Sequence, residues 1–194
     1  MPFIIAPLGD VKGLNNYPEY IKTLEELQAA ARARASTIWG GAGAGGLTPG
    51  PDQYGLGPFR KNDMAGDTTD STPSGSYTFR KSITATGWQD IFNYTVRQDM
   101  IHAFAGFLIS DDVLRILQLR MRGGSTNLPI WDSQEAQRYD KFAIIIKADA
   151  GAPFVADQKT SMLIRIYAET VGFQRVVPLG FQLFRRPDLV INET

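Results

Sequence analysis

His102 is the one histidine in the chain, and cysteine is absent. Those two facts bound the chemistry. Without cysteine there is no disulfide staple, thiolate nucleophile or thiolate metal site. A serine–histidine–acid triad would have to use His102 as its base, with Asp99 three residues before it. No GxSxG elbow supplies the serine, so Ser110 or Ser161 would be an arbitrary choice. His102 also sits in the apolar stretch IHAFAGFLI, where a structural histidine is the plainer reading.

The carboxylates are no more specific. One histidine excludes most zinc arrangements. Asp90, Asp99, Asp111 and Asp112 would need to converge in space to hold a hard cation. Asp63, Asp67 and Asp70 miss the spacing of a calcium loop and lack its closing glutamate, so residues 60–75 read as a solvated loop. Paired carboxylates for glycoside hydrolysis have no good candidates, because Glu135 suits a helix cap and Glu169 has no evident partner. The glycine run GGAGAGG lacks the lysine of a phosphate loop and follows a helix rather than a strand. No cofactor, metal or catalytic residue is expected. Trp88 and Trp131 remain as candidate contacts for a sugar or a protein partner. Both adjoin element boundaries, in ATGWQDI and LPIWDSQ, where aromatics also plug the ends of a sandwich.

The basic and acidic residues balance to zero net charge, and the positive clusters are short pairs such as Arg80-Lys81 and Arg185-Arg186. Nucleic acid is therefore not the expected ligand, since it calls for a concentrated positive surface. The opening MPFIIAPLGDVKG has an apolar run broken by Pro7 and Gly9, shorter than the core of a cleavable signal. No run of apolar residues is long enough to predict a membrane-spanning helix.

The elements divide at about residue 75. Residues 18–37, PEYIKTLEELQAAARARAST, predict a helix. Pro18 suits its first turn, Glu19 complements the dipole there, and Ile21, Leu24, Leu27 and Ala31 follow helical spacing. This helix either caps its own sheet or packs on a neighbouring subunit. In the second case Ile21, Leu24, Leu27 and Trp39 are the candidate assembly contacts. Residues 38–58 carry the glycines and prolines of a linker. The region 1–75 thus reads as an N-terminal arm, and 76–194 as a β domain.

Strand signals fill that second region. Segments 91–97, 101–109, 113–122, 142–149, 161–168 and 173–184 are rich in strand formers, and LVINE suggests a terminal strand. In 113–122, Leu117, Leu119 and Met121 alternate with Gln118, Arg120 and Arg122. Segment 101–109 is apolar on both faces, which predicts a central strand or one whose second face is covered. Asp111-Asp112 marks a turn, and Asp132 with Glu135 forms a capping box for one short inserted helix. The expected fold is all-β: an antiparallel sandwich of jelly-roll type, with an N-terminal helical arm and one inserted helix.

In layout this resembles viral coat subunits built from a single jelly roll with an N-terminal arm. Coat arms that bind genomes are strongly basic, whereas residues 1–59 hold only Lys12, Lys22, Arg32 and Arg34 as basic residues. The resemblance therefore implies an arm that contacts protein. The expected function is a non-enzymatic assembly subunit, a homo-oligomer that also meets other structural proteins in a virion or extracellular assembly. The alternative is a carbohydrate- or protein-binding sandwich module, with a small hydrolase using His102 as a third reading.

Overall fold

The computed structural model describes residues 3–7, 17–39, 54–60, 63–64, 79–110, 114–127, 131–132, 141–146 and 154–185. In chain order the elements are β1 (Phe3–Pro7), α1 (Pro18–Trp39), β2 (Tyr54–Gly57), β3 (Arg80–Ile83), β4 (Gly87–Thr95), β5 (Met100–Ser110) and β6 (Ile116–Gly123). They continue with β7 (Thr126–Asn127), β8 (Trp131–Asp132), β9 (Lys141–Ile146), β10 (Phe154–Ala156), β11 (Ser161–Ala168) and β12 (Gly172–Arg185). The expected linker 38–58 is corrected at both ends, since residues 38–39 belong to α1 and residues 54–57 form β2. Its middle, 40–53, lies outside the described residues, as do the turn at Asp111-Asp112, the inserted helix after Asp132 and the strand LVINE. Asp132 itself is on a strand, opposite Gln118.

The strands form two mostly antiparallel sheets. The larger runs β1-β9-β5-β12-β2, with β10 pairing β5 and β3 pairing β12. The smaller runs β4-β11-β6-β7, with β8 pairing β6. Segments on both sides of residue 75 pair into the larger sheet: β1 joins β9, and β2 joins the end of β12.

The sheets face each other across a core that includes Phe79, Phe92, Phe104, Phe107, Ile109, Ile116, Met121, Ile164 and Val176. The outer face of the larger sheet carries a second apolar layer, Ile101, Ala103, Ala105, Ala143, Ile145, Leu179, Phe181 and Leu183. Helix α1 lies on it and buries Tyr20, Thr23, Leu27, Ala31, Ala35 and Trp39, one stripe at spacings of three and four. Alanines on the helix meet alanines on β5 and β9, which permits close approach. Thr23 is tolerated in this layer because its hydroxyl donates to the Glu19 carbonyl at 2.8 Å. The helix runs two residues past its expected end, since Trp39 continues the buried stripe.

Bulges reset the strand alternation. Leu179 pairs with Gly106 and Gly180 with Phe104, which leaves Ala105 as an extra residue on β5. Phe104 and Phe107 can therefore both face the inter-sheet core although three positions separate them. A second bulge corrects the expected facing of β6. Tyr167 pairs with Gln118 and Ala168 with Ile116, so Ile116 turns inward with Leu119 and Met121 while Leu117 is half-exposed.

Gly180 has φ of +126°, and a Cβ there would overlap the Ala103 carbonyl oxygen. Gly180→Ala is therefore expected to destabilise the fold by about 3 kcal/mol or more, measured by urea denaturation. A loss under about 1 kcal/mol would show that the bulge can relax.

Candidate functional site

A groove between the helix and strand β2 presents apolar side chains. It encloses about 260 Å³ and is lined by Ile21, Leu24, Glu25, Gln28, Leu56 and Phe181. The helix supplies one wall because Ile21, Leu24 and Gln28 form the row beside its buried stripe. Phe181, on β12, forms part of the lining. Strand β2 supplies the other wall, with Leu56 in register with Leu183. Leu56 is 48% exposed and Ile21 42%. Among the described residues β2 pairs only with β12, so its second edge is open there.

These positions sort the expected assembly contacts. Leu27 and Trp39 are buried against the chain's own sheet. Ile21 and Leu24 are in the groove. Leu56 and Phe181 complete it, and neither was marked by sequence. Leu56 sits in YGLG, where glycines erase the alternation that would announce a strand.

A second candidate surface is the outer face of the smaller sheet. Trp88 is half-buried there, beside Tyr167 on the neighbouring strand, with ring centroids 5.6 Å apart in an edge-on contact. The Arg120 guanidinium lies 4.9 Å from the Trp88 ring centroid and that of Arg165 lies 5.9 Å from it. Arg165 also pairs with Asp90 at 2.7 Å. Facing side chains on β4, β11 and β6 thus build one aromatic and cationic row. Trp131 is placed on β8 opposite Leu119.

The triad weighed for His102 is not assembled among the described residues. His102 is fully buried and points between the sheets, where its Nδ1 is 2.8 Å from the Tyr94 hydroxyl on the opposite sheet. Phe59 and Phe104 pack on the ring. Its Nε2 has no hydrogen-bond partner among the described residues. Asp99 turns elsewhere, pairing with Arg97 at 3.3 Å. Ser110 is eight residues further along β5, roughly 25 Å away. Burial lowers the His102 pKa to about 3, so the ring is neutral at physiological pH.

Asp63 departs from the solvated loop expected around it. It is buried, accepts from Gln182 Nε2 and lies 3.8 Å from Arg97. Met64 beside it is fully buried in the inter-sheet core. Of the acids weighed for a cation site, Asp90 pairs with Arg165 and Asp99 with Arg97, while Asp111 and Asp112 lie outside the described residues. Among the described residues no group of three or more histidines and acids converges.

The fold so defined is a mostly antiparallel two-sheet, sandwich-like protein with one N-terminal helix. No family model matches the chain, and neither curated proteins nor solved structures give a match. No helix among the described residues is long and apolar enough to cross a membrane.

The buried imidazole makes stability depend on pH. Its folded pKa lies below its ordinary value of 6.5, so below that pH the unfolded chain binds a proton that the folded chain refuses. The stabilisation is complete above 6.5 and is lost as pH falls toward 3. Urea denaturation should show wild type losing about 1.4 kcal/mol per pH unit more than His102→Gln between about pH 6 and 4.5. Parallel curves for the two proteins would overturn this account.

Proposed function

We propose that this protein is a non-enzymatic structural subunit that assembles with copies of itself through the groove between α1 and β2. One observation carries the reading. Along the margin of β2, Ile21, Leu24 and Leu56 line an apolar groove, beside a strand edge that no other described strand pairs. Exposed apolar residues along an unpaired edge invite pairing with another chain. The helix contributes to this interface with one row while its main stripe holds the subunit together. The finer reading is a jelly-roll component of a virion or extracellular assembly. Its support is the layout of a β body with an N-terminal helical extension.

A binding module is the second reading, favoured by the Trp88 row. A half-exposed indole flanked by Arg120 and Arg165 suits an acidic sugar, with stacking on the ring and carboxylate held by guanidinium. It predicts a monomer whose tryptophan fluorescence responds to uronic-acid oligosaccharides, with the response lost in Arg120→Ala.

Light scattering across a dilution series decides between them. The assembly reading expects wild type to exceed the chain mass of 21.4 kDa and Leu56→Asp to fall to it while remaining folded by circular dichroism. A wild-type mass of 21.4 kDa at every concentration would overturn it.

A further inference from the structure

Among the described residues, the large exposed apolar side chains other than Tyr167 on the smaller sheet fall into separate groups at the two ends of β12. At one end Leu56, opposite Leu183, and Ile21 border the groove. At the other, the turn between β11 and β12 presents Val171, 56% exposed, and Phe173, 42% exposed. The ten residues from Phe173 to Leu183 place these groups roughly 30 Å apart. One group lines a groove and the other lies on a turn and the first residues of the strand that follows it.

The turn is held ready. Arg115 donates from its guanidinium to the Val171 carbonyl at 2.9 Å and the Phe173 carbonyl at 3.3 Å. Its backbone amide donates to Gln174 Oε1 at 2.9 Å. Gly172 adopts φ of +133°, and a Cβ there would press on the Arg115 guanidinium. Apolar side chains on a tethered turn lose little freedom when they bind. Charge also matches. Arg80 lies 4.2 Å over the Phe173 ring and Arg115 is behind it, whereas Glu25 lines the groove.

From this complementarity we infer that the groove is filled by the β11–β12 turn of a second copy of this chain, giving head-to-tail association. Val171 and Phe173 enter between Ile21, Leu24 and Leu56, and the basic side chains of the turn approach Glu25. The two partners use different surfaces, so the contact is heterologous. It closes into a ring or continues as a filament, rather than stopping at a two-fold dimer. This inference rests on the assembly reading above and names its partner surface.

Complementation between two blocked variants tests it. Leu56→Asp blocks the groove and Phe173→Asp blocks the turn. Each alone should remain at 21.4 kDa by light scattering, while an equimolar mixture should form a heterodimer of twice 21.4 kDa and nothing larger. A second measurement uses the absence of native cysteine. Leu56→Cys and Val171→Cys, mixed and oxidised, should cross-link to each other in preference to themselves. A wild type that assembles while the mixture stays monomeric, or Leu56→Cys that cross-links mainly to itself, would overturn the head-to-tail contact alone. A wild type that stays at 21.4 kDa would instead defeat the assembly reading on which it rests.

Discussion

Strand β5 has to be kept from water on both faces, and most of the architecture follows from that obligation. Met100, Phe104, Phe107 and Ile109 enter the core between the sheets. Ile101, Ala103 and Ala105 enter the layer under the helix. A single sheet-on-sheet contact would leave the second set wet, at a cost proportional to the apolar area exposed. Helix α1 removes that cost. Its stripe combines Ala31 and Ala35 with the larger Tyr20, Leu27 and Trp39, in one layer with Ala103, Ala105 and Ala143 and the larger Ile101 and Ile145 of the sheet. The groove is a product of this packing. The row beside the stripe borders the margin of the sheet, and its apolar residues line the groove with Leu56 on the last of the described strands.

The inter-sheet core is not purely apolar. Tyr94 and His102 join the two sheets by a hydrogen bond, and Asp63 joins its chain segment to Gln182. Such bonds add modestly to net stability, but removing one partner leaves a buried polar group unsatisfied. They favour one relative placement of the sheets over sliding alternatives that apolar contacts alone would permit. His102 can fill this role because it is neutral in the folded state, as burial requires.

Much of this was legible from residue patterns. Segment 161–168 alternates cleanly and is a strand with those same limits. The two-faced apolarity of 101–109 announced a strand either central or covered on its second face, and β5 is both. The helix was legible from its spacing, though Trp39 extends it by packing that sequence cannot weigh. Other features depend on partners far along the chain. Leu117 was expected to face the core because strict alternation says so, and one extra residue against β11 reversed that. Asp63 looked like loop until Gln182, 119 residues away, came alongside it. The groove was half visible, in Ile21 and Leu24. Leu56 was hidden between glycines, and no local pattern says that β2 lies beside the helix. Arg115 gave no signal, since its role is to hold a turn more than fifty residues later.

Strand β12 gives the molecule a built-in ruler. It spans 14 residues and meets β3 near its start, β5 along most of its length and β2 at its end. The groove and the tethered turn are therefore mounted on one strand, with the bulge opposite Leu179 and Gly180 between them. Their spacing is counted in residues, at roughly 3.3 Å each. Adding or removing one residue would turn every later side chain to the opposite face, and adding or removing two would change the length by one pleat. Any lattice that links the two ends would inherit its repeat from that count.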